Sequence, residues 1–121
     1  ATVAFGINDY GQSRSLAEVR RETARLLDGL TRDPARISAV LTPIPAPGRP
    51  DNNDLGLVPQ DYRNAIAEEA ENRPRTVVVD GSALVPDRAD QFVDGVHPND
   101  SGMREYAANL AASLGPLLCG R

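Results

Sequence analysis

The chain opens on an apolar run, Ala1-Thr2-Val3-Ala4-Phe5, closed by Gly6. A short run without polar alternation predicts a strand buried on both faces, as in the interior of a parallel sheet. The period then lengthens. Leu16, Val19, Leu26, Leu27 and Leu30 recur at helical spacing, and Ser15 with Glu18 three residues later makes a capping box, so a helix is predicted from Leu16 to Leu30. It stops before Asp33-Pro34, and Ile37 to Thr42 reads as a second strand ended by Pro43.

Pro43, Pro45, Pro47, Pro50 and Pro59, with the Asp51-Asn52-Asn53-Asp54 cluster, make the following stretch a long, stiff loop. Loops of this length in a small domain tend to serve function, and this one is expected to wall a pocket. A more polar helix is predicted over Asp61 to Asn72, with Tyr62, Ile66 and Ala70 inward, and then a strand over Thr76 to Val79. A last helix is expected to start near Asn99 to Ser101, capped by Ser101. It would set Met103, Tyr106, Ala107, Leu110, Ala111 and Leu114 on one face and stop at Gly115-Pro116.

This β-α-β-α-β-α order predicts an α/β fold: a parallel sheet with right-handed crossovers and helices on both faces. Three strands make a thin sheet. Because the first strand reads as a central one and Ala1 is not an initiator Met, a preceding segment is expected to supply its missing neighbour.

Composition narrows the chemistry. The 121 residues are 40% hydrophobic and 25% charged with a net charge of −4, the balance of one globular domain or part of one. All 13 basic residues are Arg, dispersed among 17 acids, so no nucleic-acid partner is expected. No apolar run approaches the roughly 18 residues of a membrane span, so none is expected here, while export stays open. A lone Cys119 and a single histidine cannot furnish an ordinary zinc site, and no structural metal is expected. Cys119 reads as a free thiol, or as the partner of a cysteine outside this chain in an exported protein.

In open parallel sheets ligands sit beyond the carboxyl ends of the strands. Two motifs fall on that rim: Gly6-Ile7-Asn8-Asp9 after the first strand, and Asp94-Gly95-Val96-His97-Pro98-Asn99 after the third. An Asp three residues before a His can hold the imidazole Nδ1–H, leaving Nε2 outward as a general base. The Asn8 amide, behind a Gly that allows close backbone approach, can donate to a developing oxyanion. Taken singly, a His before Pro also reads as an exposed loop residue and Gly-x-Asn-Asp as a turn.

Together, in this order and on alternating strands, the two blocks resemble those of the SGNH hydrolases, the GDSL esterases and lipases. Gly6, Asn8 and Asp9 match that family's Gly-x-Asn-Asp block, and Asp94, His97 and Pro98 its Asp-x-x-His-Pro block, with Asn99 and Gly102 fitting the entry to the last helix. The resemblance implies a three-layer α/β/α fold with a parallel flavodoxin-like sheet, residues 1–121 supplying its last three strands and their helices as the C-terminal part of one domain. It further implies a serine ester hydrolase with His97 as base, Asp94 as its orienting acid, Asn8 as an oxyanion donor, and Asp9 and Gly6 supporting the loop. No cofactor is implied.

The family's nucleophile, a Ser in a Gly-Asp-Ser block, and a Gly that lends a second oxyanion donor precede the Gly-x-Asn-Asp block, and neither is in this chain. A second chain, the N-terminal segment of the same hydrolase, is the expected partner, with an ester as substrate. Ser82, in Asp80-Gly81-Ser82, is the best internal nucleophile, although its motif reads first as a turn. The alternative function is a non-catalytic carbohydrate- or protein-binding module of the same fold. Asp51 to Asp54 lacks the ligand spacing of a calcium loop and reads as a solvated turn. Tyr10 and Phe92 read as pocket-lining or core, and Arg20-Arg21 among Glu18 and Glu22 as a solvated helix face with local ion pairs.

Overall fold

A computed structural model describes residues 1–119, and the side chains of residues 1–117. The expectation for the Cys119 thiol therefore lies outside the described side chains. Three parallel strands, β1 (Thr2–Ala4), β2 (Ser38–Leu41) and β3 (Thr76–Val79), form one sheet in the order β1-β2-β3. Thr2 pairs with Ala39 and Ala4 with Leu41; Ser38 pairs with Thr76 and Leu41 with Val79. The helices are α1 (Ile7–Gly11), α2 (Leu16–Leu30), α3 (Pro59–Glu71) and α4 (Asp100–Cys119), with short 3₁₀ turns at Gly81–Ala83 and Ala89–Gln91.

The buried middle strand β2 divides the core by its two-residue period. Val40 faces a cluster of Tyr10, Val19, Leu27, Tyr62, Ile66 and Ala70 from α1, α2 and α3. Ala39 and Leu41 face Val79, Leu84, Val85 and Phe92, against which Tyr106, Leu110 and Leu114 of α4 pack. Helices thus cover both faces, the three-layer flavodoxin-like arrangement. Each fully buried large side chain contributes about 1.5–3 kcal/mol of transfer free energy, so Tyr10, Tyr62, Leu27, Leu41 and Ile66 anchor the assembly.

Helix α2 spans the predicted residues, and Ser15 Oγ accepts from Glu18 N–H at 3.2 Å, one half of the expected box. Its inward residues are Val19, Thr23 and Leu27; Leu26 is exposed, because 3.6-residue geometry turns it away from Leu27. Arg20 reaches across to Glu68 (2.7 Å) and Glu69 (3.8 Å) of α3, so it ties two helices together instead of pairing within its own.

Four other expectations are corrected. Thr2 and Ala4 are exposed, so β1 is an edge strand with no partner beyond β2 among the described residues, not one buried on both faces. Asn99 caps α4, its Oδ1 accepting from Gly102 N–H at 2.9 Å, while the Ser101 hydroxyl donates to Gln91 Oε1 at 3.2 Å. Helix α4 runs through Gly115-Pro116, because a proline so near a helix end removes one backbone donor and leaves the preceding turns intact. Its packed stripe is Tyr106, Leu110 and Leu114; Met103, Ala107 and Ala111 face outward.

Candidate functional site

The parallel register brings the carboxyl ends of all three strands to one rim, where both sequence motifs lie. At the first, Gly6 takes φ +111, and a Cβ there would stand 2.7 Å from both Ile66 Cδ1 and Pro43 Cγ. Only glycine lets the chain turn this closely over α3 and the end of β2. The turn launches α1, where the Gly-x-Asn-Asp pattern alone predicts a turn. Asn8 sits in its first turn with an exposed side chain, and its backbone carbonyl accepts from Gln12 N–H at 2.8 Å. Asp9 lies 3.6 Å from Arg14 Nε, an ion pair that pins the exit of α1.

Tyr10, the one buried residue of α1, fixes the helix from below. Its ring meets Tyr62 edge-on at 5.6 Å, its hydroxyl donates to the Pro50 carbonyl, and its own carbonyl accepts from Asn53 Nδ2 at 3.2 Å. Asn53 also donates to Tyr62 Oη at 2.8 Å and accepts from the amides of Leu55 and Leu57. The Asp51–Asp54 stretch is therefore a hydrogen-bonded hub under α1. Burial, foremost, holds both tyrosine hydroxyls above their usual pKa, which keeps them neutral.

At the second motif, Asp94 closes a tight turn on itself. Asp94 Oδ1 accepts from the amides of Val96 (2.9 Å) and His97 (2.7 Å), and Oδ2 lies 2.7 Å from His97 Nδ1. The turn is staked at both ends: Val93 N–H donates to the His97 carbonyl at 2.8 Å, Phe92 and Pro98 form an antiparallel bridge, and Asn99 N–H donates to the Gln91 carbonyl at 2.9 Å. The His97 amide, then the His97 ring, then the Val96 amide hold the Asp94 carboxyl well below the usual carboxylate range. An ionised Asp94 favours the Nδ1–H tautomer, and the side chain of His97 is 78% exposed.

Ser82 is engaged elsewhere: its hydroxyl donates to Asp80 Oδ1 at 2.7 Å and its amide to the same oxygen at 2.9 Å. Tyr10 and Phe92 are core residues, 1% and 5% exposed, and not pocket lining. The long loop does wall a cleft of about 320 Å³, with Pro45, Arg49, Asp51, Gln60, Arg63 and Asp87 among its lining. Sequence reading missed Asn53 and the pair Gly48 and Gly95. Gly48 N–H donates to the Gly95 carbonyl at 2.7 Å, so this loop touches the Asp94–His97 turn directly. The glycines were the one available signal, since Gly95 takes φ +79.

Known structures share this frame. A salicylyl-acyltransferase, SsfX3, from a tetracycline biosynthetic pathway superposes with a TM-score of 0.78 at 16% identity, over 98% of this chain and 37% of that one. A Lactobacillus plantarum protein gives 0.77 at 27% identity, over 94% and 65%. A Streptococcus pneumonia protein named as a candidate platelet activating factor gives 0.78 at 19%, over 93% and 58%. The chain thus spans between 37% and 65% of the length of these structures. Among curated proteins, none matches in sequence. The profile of the GDSL-like Lipase/Acylhydrolase family matches residues 1–105, and with both rim motifs inside that match the chain belongs to this family.

Proposed function

We infer that the chain is the C-terminal part of a serine ester hydrolase whose nucleophilic Ser comes from an N-terminal segment packed beside β1. The observation that carries this reading is the Asp94–His97 pair at 2.7 Å with an exposed ring. A recognition loop needs no carboxylate locked onto Nδ1, whereas a general base does. In the reaction, His97 Nε2 takes the proton from the Ser hydroxyl as its oxygen bonds to the ester carbonyl carbon. Asn8 donates to the resulting oxyanion, His97 returns the proton to the departing alcohol, and water repeats the sequence to release the acid.

The supplying segment has a place to dock. β1 has an open edge, and beside it Ala1, Thr2, Ala35, Ile37, Ala39, Leu114 and Leu117 line a mostly apolar recess of about 290 Å³. A further strand would satisfy that edge and cover the recess. The engagement of Ser82 by Asp80 and the family membership both favour an external nucleophile over an internal one.

The test is a phosphonate that reacts with activated serine, applied to this chain with its N-terminal segment. Labelling and ester hydrolysis are expected, both abolished by His97→Ala. Full activity in His97→Ala would remove the base. A folded, complete assembly that neither labels nor hydrolyses esters would leave the binding-module reading in its place.

A further inference from the structure

One segment touches both halves of the site. At its start, Gly48 N–H donates to the Gly95 carbonyl at 2.7 Å, and a Cβ on Gly48 would lie 2.8 Å from the Asp94 carbonyl oxygen and from Gly95 Cα. A Cβ on Gly95 would lie 2.6 Å from Gly48 N. These obstacles are backbone, so no rotamer change relieves them. The two glycines let two chain segments lie back to back against the backbone of Asp94, whose carboxylate holds the His97 ring.

One to five residues further on, the same segment grips α1. Tyr10 Oη donates to the Pro50 carbonyl, Asn53 Nδ2 donates to the Tyr10 carbonyl, and the Arg49 guanidinium stands 2.7–3.0 Å from where a Cβ on Gly11 would be. Asn8 is two residues from Tyr10 on that five-residue helix. The segment therefore contacts the turn that carries Asp94 and His97 at one end and the helix that carries Asn8 at the other. Pro50 restricts the backbone inside this segment, and Pro47 fixes its entry.

We propose that the Gly48–Asn53 segment sets the separation between Asn8 and the Asp94–His97 pair, with Gly48 and Tyr10 as its positioning residues. This rests on the hydrolase reading above but concerns residues that touch no reacting atom. Catalytic constellations tolerate little misplacement, a shift near 1 Å costing on the order of 10²-fold in rate.

The test is made on the complete protein with its N-terminal segment, comparing Gly48→Ala, Tyr10→Phe and the control Gly29→Ala, whose added methyl meets nothing within 4 Å. Gly48→Ala is expected to lower kcat on the order of 10²-fold with KM within about twofold. It should also move the His97 ring resonances, assigned by their loss in His97→Ala. Tyr10→Phe, which keeps the ring and deletes one bond, should lower kcat about tenfold and carries the test should Gly48→Ala fail to fold. A folded Gly48→Ala or Tyr10→Phe with unchanged kcat and unmoved His97 resonances overturns the proposal, whatever its melting temperature. His97→Ala decides the hydrolase reading separately, since its outcome does not depend on the segment.

Discussion

Asp94 uses both carboxylate oxygens on one residue: Oδ2 takes the His97 ring at 2.7 Å and Oδ1 the His97 amide at 2.7 Å. Backbone and ring of His97 are thereby fixed by the same group, so the orientation of the imidazole is set inside a four-residue turn. Replacing Asp94 by Asn keeps the shape but offers Nδ1 an amide in place of a carboxylate. In the assembled enzyme Asp94→Asn is expected to cost about 10⁴-fold in kcat, measured on a short ester; a loss under tenfold would show that the ring is oriented by something else.

Asn8→Ala removes a donor without touching a core contact, since the side chain is exposed. The oxyanion role proposed for Asn8 requires turnover to fall on the order of 10²-fold with little change in KM, since such a donor acts on charge that develops after binding. Unchanged turnover in steady-state kinetics would take Asn8 out of the site.

The depressed Asp94 carboxyl fixes a pH dependence. A group whose folded pKa lies below its unfolded value of about 3.9 contributes to the folded state above that value and loses the contribution as pH falls through the depressed one. The Asp94 carboxylate should therefore stay ionised from pH 7 down through pH 3. A flat carboxyl ¹³C shift across that range is the expected NMR result, and a midpoint near 4 contradicts it.

Gly6→Ala forces a side chain onto φ +111 and into Ile66 and Pro43. The strain and overlap together should cost about 3 kcal/mol, read as a lowered urea midpoint with unchanged slope. A variant as stable as the parent would mean that the Gly6 turn relaxes freely.

Thr23 offers the opposite sign. Its hydroxyl is buried in α2 with no hydrogen-bond partner among the described residues. Thr23→Val keeps the shape and removes the unsatisfied group, and a gain of about 1 kcal/mol in urea unfolding is expected. A loss of stability would reveal a partner for that hydroxyl.

Elements whose signal is local were legible in the sequence. The 3.6-residue period of α2 and its Ser15 cap gave Leu16–Leu30, the β-branched run gave Thr76–Val79, and the three-residue spacing of Asp94 and His97 gave their contact. What escaped depends on distant partners. Helix α1 is built from Asn, Asp and Gly, poor helix formers, and exists because Gly6 turns the chain and Tyr10 is gripped from Pro50 and Asn53. The alanines of α4, Ala107, Ala108, Ala111 and Ala112, all lie on its outward side, so apolar periodicity did not choose between Met103 and Tyr106. The contact of Gly48 with Gly95 spans 47 positions, and nothing in either neighbourhood announces the other.

The open edge of β1 also governs how this chain behaves in solution. Unpaired backbone donors and acceptors along an edge template the addition of any extended strand, including one from another copy. Thr2, Val3 and Ala4 carry no charge that would repel such a neighbour. Alone and concentrated, the chain is thus set up for strand-to-strand self-association, and only the shortness of the strand limits it. Until a further strand pairs with it, this edge offers another copy of the chain a template for association.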